Sequence, residues 1–167
     1  MGRRAVLGRD GAGRLPYVLV ALALGGLAIS LYLVTTHLGD KPIACAGVGD
    51  CAAVNSSVYA SIGGVPVSFL GVGLYVSLAT LAYVWSRDPS DDRRMVAYWG
   101  MALSGAGYAA YLTYVELTIL HAICVWCVAS ATILATSLAL ATAALVLTPD
   151  PAGVTAGRPA REPGKAR

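Results

Sequence analysis

Residues 122–147 read AICVWCVASATILATSLALATAALVL, an apolar run without a charged side chain that carries two cysteines near its start. A helix crosses a bilayer with roughly 20 apolar residues, so this segment is long enough to span a membrane. Three similar segments precede it, at about residues 17–38, 66–85 and 95–115, and the third extends to residue 120 if Glu116 is tolerated near its end. The sequence therefore predicts an all-α integral membrane protein with a bundle of four transmembrane helices.

Little polar chain remains outside these segments. The 167 residues are 57% hydrophobic and 13% charged, which is far more apolar than a soluble domain. We expect an N-terminal tail at residues 1–16, one membrane domain at 17–147 and a C-terminal tail at 148–167. The last is rich in Pro, Gly, Ala and Arg and is predicted to be disordered. This division leaves no room for a soluble catalytic domain.

The distribution of basic residues predicts the orientation in the membrane. Of the 12 Lys and Arg residues, only Lys41 lies in a segment expected to face outward. Because cytoplasmic segments collect Lys and Arg, we expect both termini in the cytoplasm and a multi-pass location in the plasma membrane. The loop at residues 39–65 and the short link around His121 then face an oxidising compartment. The net charge of +3 is thus a topology signal and indicates no nucleic-acid partner.

The outward loop has an apolar pattern of its own. Val54, Val58 and Ile62 recur every four residues, with Asn and Ser between them. This spacing predicts a short amphipathic helix on the outer membrane surface, ended by the glycines at 63 and 64, with Pro66 starting the next span. Its apolar side is expected to cover a pocket between the spans, although an ordinary re-entrant connector fits the pattern equally well.

The four cysteines form two close pairs, Cys45/Cys51 in the loop and Cys124/Cys127 at the start of the fourth span. Residues three apart share a helix face, and the positive end of the helix dipole favours a thiolate. A thiol at the bilayer edge can react with a lipid-soluble oxidant such as a membrane quinone. A loop pair made mobile by neighbouring glycines can exchange with a soluble thiol protein and then with the CxxC pair. The pattern predicts a membrane thiol:quinone oxidoreductase in which all four cysteines are catalytic.

The cysteine pattern also admits roles other than electron transfer. Two static disulfides in a non-enzymatic membrane scaffold account for the even number, and they would stay oxidised whatever the quinone supply. A zinc site is disfavoured because only one pair has the CxxC spacing, so no metal is predicted. A transporter usually carries ionisable or unwound elements at mid-membrane, which these spans lack. His37, His121 and Glu116 are weaker candidates for moving a proton to or from a quinone.

The chain resembles the vitamin K epoxide reductase family, in its bacterial form made of the membrane domain alone. The matching features are Cys45-x5-Cys51-x5-Ser57, Gly64-Val-Pro-Val-Ser-Phe-Leu-Gly71 and Cys124-Val-Trp-Cys127. The resemblance implies a four-helix bundle around a quinone, ubiquinone or menaquinone, with a separate thioredoxin-like protein as the thiol partner. Electrons would enter at Cys45, pass from Cys51 to Cys124, and leave from Cys127, so that secreted proteins acquire disulfides.

The resemblance also bears on the quinone pocket. It implies that Ser57 helps to hold the loop and the site, and we expect Tyr59 and Phe69 to line the pocket. Animal members place an asparagine near the start of the second span and a tyrosine four residues after the CxxC, whereas Val67 and Ala131 stand here. Epoxide reduction is therefore not expected as the native task. In the disulfide bond formation protein B family, the nearest rival, the CxxC pair comes first, which is the reverse of the order here.

Overall fold

The structure is a computed structural model that describes residues 9–39, 43–45, 49–88 and 92–147. The predicted disordered tail at 148–167 lies outside these residues, as do residues 1–8. The described chain is mostly helical, and its elements follow in this order: α1 (Arg9–Leu38), α2 (Cys51–Asn55), a 3-10 turn (Val58–Ala60), β1 (Ser61–Ile62), β2 (Val65–Pro66), α3 (Val67–Arg87), α4 (Asp92–Val115), a π turn (Glu116–Leu120) and α5 (Val125–Leu147).

The long helices α1, α3, α4 and α5 pack side by side around a shared core. α1 packs against α3 and α5, and α4 packs against α3 and α5. Close approach depends on small residues, as in other membrane bundles. Gly26 of α1 lies against the ring of Tyr75 on α3, and any β-carbon at this position would overlap that ring. Tyr75 is accordingly buried at 1% exposure, at the centre of the bundle.

Three of these helices are long and apolar enough to cross a membrane, with spans at Arg14–Leu38, Val67–Arg87 and Val125–Val146. Leucine and valine side chains on their outer faces, such as Leu24 and Val76, are exposed as lipid-facing residues would be. The predicted helical membrane fold is confirmed. α4 is not among the three, because its residues 95–115 include four tyrosines and three glycines that lower its mean hydropathy. α1 also begins at Arg9, inside the predicted N-terminal tail.

The outward loop differs from the predicted surface helix. The helical part ends at Asn55, because the hydroxyls of Ser56 and Ser57 bond back to the carbonyls of Ala52 and Val54 at 2.8 and 2.7 Å. Such bonds compete with helix continuation. The prediction of one helix through Val58 and Ile62 is therefore wrong in extent, and Val58 is 82% exposed.

A small hairpin takes the place of the rest of that predicted helix. β1 pairs with β2 in antiparallel register, Ser61 with Pro66 and Ile62 with Val65. Gly63 and Gly64 have φ values of 58° and 85°, and a two-residue hairpin turn needs positive φ at both central positions. The glycines therefore make a turn between two strands, where the sequence suggested a helix stop.

The junction between α4 and α5 is tightly wound. After Val115 the chain makes the π turn and leaves it through His121, whose left-handed φ of 49° reverses its direction. The N–H of Ala122 donates to the Glu116 carbonyl at 3.1 Å and closes the turn. α5 then begins at Val125, so Cys124 lies one residue before the helix and not within it. The turn thereby places the CxxC pair at the loop end of the bundle.

Candidate active site

The loop cysteines form a disulfide, Cys45–Cys51. Cys51 is the first residue of α2 and is buried at 1% exposure, whereas Cys45 is half-buried. The N–H of Cys51 donates to the sulfur of Cys45 at 3.0 Å. Asp50 caps α2 by accepting from the N–H of Ala53 at 3.0 Å, which is the usual role of aspartate before a helix. Cys45 is thus the more accessible sulfur of the pair.

The membrane cysteines, Cys124 and Cys127, are free thiols. Cys124 occupies the cap position of α5, because its carbonyl accepts the first helical hydrogen bond from the N–H of Val128 at 3.0 Å. Its sulfur accepts from the N–H of Cys127 at 3.4 Å, as a capping side chain does. This geometry places the Cys124 sulfur among unpaired N–H groups at the positive end of a helix.

The structure brings the two cysteine pairs together. Cys51 and Cys124 belong to one buried cluster with Val54. The N–H of Asp50 donates to the carbonyl of Ile123 at 3.1 Å, which joins the loop backbone to the link before α5. Disulfide exchange requires the reacting sulfurs to meet. Cys51 and Cys124 are therefore the two cysteines that the fold buries in this one cluster.

Two aromatic side chains clamp the loop just before Cys45. The Trp126 indole N–H donates to the carbonyl of Ala44 at 2.8 Å, and the Tyr32 hydroxyl accepts from the N–H of Ala44 at 3.0 Å. The two rings also contact each other at a centroid distance of 4.8 Å. Ala44 is 82 residues away from Trp126 along the chain, so no local pattern could reveal the clamp.

Weakening this clamp should slow the electron delivery through the loop that the cysteine pattern predicts. In Trp126→Phe, the ring contact survives but the hydrogen bond to Ala44 is lost, at about 1 kcal/mol. We expect turnover driven by a reduced thioredoxin to fall about fivefold, since 1.4 kcal/mol corresponds to tenfold, while turnover driven by dithiothreitol stays unchanged. Trp99→Phe is the matched control, because it loses a similar bond to Thr142, at 2.9 Å, elsewhere in the bundle. Equal turnover by Trp126→Phe and wild type with thioredoxin would contradict this positioning role.

A cavity of about 330 Å³ lies under the loop, between the long helices. Cys127 opens on to it. Of the residues expected at the quinone, Ser57, Tyr59 and Val67 line the cavity, whereas Phe69 and Ala131 do not. The lining is mainly apolar, and it comes from all four long helices and from the loop: Ile29, Leu33, Val54, Leu70, Leu74, Leu112 and Leu134.

Two of the polar groups on the cavity wall make hydrogen bonds to α5 or to the link before it. The Tyr75 hydroxyl lies 2.7 Å from the Ser130 hydroxyl and donates to the Ser130 carbonyl at 3.1 Å. Ser130 follows Cys127 by three residues and shares its helix face, a signal that the sequence did contain. The second polar group is Glu116, whose carboxylate accepts from the N–H of Cys124 at 3.0 Å in a buried setting. The two groups place hydroxyls and a carboxylate beside a mainly apolar space.

Within the described residues, no group of three or more His, Cys, Asp or Glu side chains is arranged to hold a metal ion.

The sequence offered His37 and His121 as proton-transfer candidates besides Glu116. His37 lies in the last turn of α1, and His121 is exposed at the exit of the π turn. Neither histidine lines the cavity. Glu116 is therefore the candidate that the structure places at the cysteines.

The hydrogen bond from the Cys127 thiol lowers the pKa of Cys124 to about 7, although burial and the charge of Glu116 oppose this effect. At pH 8, Cys124 should thus be mostly thiolate, and protonation should remove that thiolate as the pH falls through 7. The thiolate absorbance of reduced wild type is titrated with pH, and the absorbance of Cys124→Ser is subtracted. We expect this difference to have its midpoint near pH 7. In Cys127→Ala the midpoint should move upward, since the main stabilising hydrogen bond is gone. An unchanged midpoint in that variant would contradict the assigned cause.

Comparison with known families agrees with this geometry. The family model for the vitamin K epoxide reductase family matches residues 17–142 of the 167-residue chain. The matched region holds both cysteine pairs, the loop, the π turn and the residues that line the cavity. The chain therefore belongs to the vitamin K epoxide reductase family and is a membrane thiol oxidoreductase.

Proposed function

We propose that the protein carries electrons from a separate, extracytoplasmic thioredoxin-like dithiol protein to a membrane quinone, ubiquinone or menaquinone, and so supports disulfide formation in secreted proteins. The observation that carries this proposal is the order of the sulfurs through the site. Cys45 is the accessible end of a loop disulfide, Cys51 and Cys124 share a buried cluster, and Cys127 opens on to an apolar cavity.

The exchange steps follow from this order. A thiolate of the partner attacks Cys45, and after a second attack the partner leaves oxidised while Cys45 and Cys51 are thiols. The Cys51 thiolate then attacks Cys124 of a Cys124–Cys127 disulfide, which releases Cys127 as a thiolate. Attack by Cys45 on Cys51 restores the loop disulfide and releases Cys124. Two electrons have now moved from the partner to the CxxC pair.

The observed pairing corresponds to the next stage of this cycle. The loop disulfide is formed, and Cys124 and Cys127 are both thiols. In this state the CxxC pair holds two electrons that a quinone can accept. Oxidation of the two thiols forms the Cys124–Cys127 disulfide, and the quinone takes up two electrons and two protons to become a quinol.

The cavity suits the ring of a quinone better than a polar substrate, because its lining is mainly apolar with a few convergent polar groups. We propose that the ring lies against Ser57, Tyr59 and Val67. The Tyr75 and Ser130 hydroxyls carry two hydrogens between them, and one of these can donate to a quinone carbonyl. This pair would supply the polar contact that Val67 and Ala131 cannot make.

We further propose that α4 is the fourth transmembrane helix. It is 24 residues long, has no charged side chain from 95 to 115, and packs along both α3 and α5. With four spans, both termini lie on one side, which the basic residues indicate to be the cytoplasm. The loop then faces the outside of the plasma membrane, where a secreted thiol partner can reach Cys45.

A scaffold with two structural disulfides is the competing proposal. It is disfavoured because the Cys124 and Cys127 thiols are free and Cys127 borders a cavity. Thiol trapping separates the two proposals in membranes with and without quinone, using a maleimide that adds mass to each free cysteine. We expect Cys124 and Cys127 to be oxidised with quinone present and reduced without it. Cysteines that stay oxidised in both membranes would favour the scaffold.

A further inference from the structure

Glu116 is a buried carboxylate at the reacting sulfurs. It is 3% exposed, and within the described part of the chain no cationic side chain forms an ion pair with it. Its carboxylate accepts from the N–H of Cys124 at 3.0 Å, and Glu116 and Cys127 line the same cavity. A carboxylate without a cationic partner is costly to bury, so a carboxyl group in a cavity beside cysteines is a candidate for proton transfer.

The backbone holds this side chain in place. Glu116 opens the π turn, and its carbonyl accepts from the N–H of Ala122. π turns occur frequently at functional sites. The turn directs the carboxylate towards the start of α5 and into the cavity, whose lining includes both Glu116 and Cys127. Among the described residues that line the cavity, Glu116 carries the only carboxyl group.

We propose that Glu116 is the catalytic base and acid of the quinone step, accepting the proton of the Cys127 thiol and delivering it to a quinone oxygen. This inference rests on the proposed function. As the Cys127 sulfur gives up electrons to the quinone, its proton passes to the Glu116 carboxylate. The Cys124 thiolate then forms the disulfide bond to Cys127, and two electrons have reached the quinone. The protonated Glu116 returns one proton to a quinone oxygen, and water supplies the second. This second proton balances the one that Cys124 released to water when it became a thiolate.

The competing role for Glu116 is only to cap α5 through the N–H of Cys124. Glu116→Gln distinguishes the two roles, because a glutamine carbonyl can still accept that bond but cannot take a proton. General acid–base groups contribute about 10²–10⁴-fold to a rate. With dithiothreitol as donor and ubiquinone as acceptor, we expect Glu116→Gln to lose about that factor in kcat, with KM for quinone changed less than about threefold. Thiol trapping during turnover should then show Cys124 and Cys127 accumulating as thiols.

Two further measurements make the test specific. The charge of Glu116 raises the pKa of Cys124, so in Glu116→Gln the thiolate midpoint should move below its wild-type value. His121→Asn is the matched control at the exit of the same turn, since asparagine tolerates a left-handed backbone and the exposed imidazole has no role in this step. Its kcat should equal that of wild type.

A second isosteric pair covers the case in which Glu116→Gln fails to fold. Glu116→Asp should exceed Glu116→Asn in kcat at least about tenfold, because only the aspartate can take a proton. The inference is overturned if Glu116→Gln keeps more than half of the wild-type kcat, if its CxxC pair stays oxidised during turnover, or if the Asp and Asn variants are equally active. Failure of wild type itself to reduce quinone overturns the proposed function instead.

Discussion

Cys127→Ala should abolish quinone reduction while leaving the loop disulfide and the fold intact. Cys127 is the only cysteine among the described residues that line the cavity, so its loss removes the sulfur that meets the quinone. Without it, Cys124 loses the CxxC partner with which it forms the disulfide that releases two electrons. We expect turnover with dithiothreitol and ubiquinone to fall at least about 10³-fold, the order seen when an enzyme loses its covalent nucleophile. Absorbance of the quinone in detergent-purified protein measures this directly.

Cys45→Ala supplies the comparison for that variant. Cys45 lies at the accessible end of the electron path, away from the cavity. Its loss should block turnover with reduced thioredoxin as donor but leave turnover with dithiothreitol near the wild-type value, because a small thiol can reduce the CxxC pair without the loop. If Cys127→Ala kept full activity with either donor, the assignment of the quinone-facing thiol would be wrong.

Gly49→Ala should disconnect the loop from the CxxC pair. Gly49 has φ of 81°, and a β-carbon there would overlap the carbonyl oxygen of Ile123. Because that carbonyl accepts the N–H of Asp50, the loop must move to relieve the overlap. A left-handed backbone costs a non-glycine residue about 1–3 kcal/mol, and the lost contact adds to it. We expect turnover with thioredoxin to fall at least about tenfold, with dithiothreitol turnover largely kept.

Gly63→Ala is the matched control for this prediction. Gly63 also has a left-handed φ, of 58°, but a β-carbon there meets no atom within 4 Å. The control therefore carries the backbone strain without the overlap, and thioredoxin-driven turnover should stay within about twofold of wild type. Similar losses in the two variants would show that strain in the loop, and not its contact with Ile123, controls electron delivery.

The local features of the site were predictable because they depend on composition and short spacing. A membrane-spanning run is recognised by its length and lack of charge, which located α3, α5 and the end of α1 within a few residues. Cys124 and Cys127 were recognised by their spacing, and the loop pair by its position between two apolar segments. Each of these signals lies within about 30 adjacent residues, where sequence patterns are informative.

The loop was predicted less well because competing local bonds decide it. A four-residue apolar spacing indicated a helix through Val54, Val58 and Ile62. Hydroxyl-to-carbonyl bonds from Ser56 and Ser57 ended the helix earlier, and the following glycines made a hairpin turn. A serine can either remain within a helix or bond back to a carbonyl where the helix ends. Only the folded backbone therefore shows that this helix ends at Asn55.

The sequence by itself determined a helical membrane protein with two cysteine pairs whose order and spacing are those of a thiol oxidoreductase. Tertiary structure alone decided how those pairs meet. Trp126 reaches Ala44 across 82 residues, and Tyr75 reaches Ser130 across 55. Glu116 becomes a partner of Cys124 only because a π turn and a left-handed His121 reverse the chain between them. Hydrogen bonds act over about 3 Å, so which groups they join depends on the packing of distant helices and not on nearness in sequence.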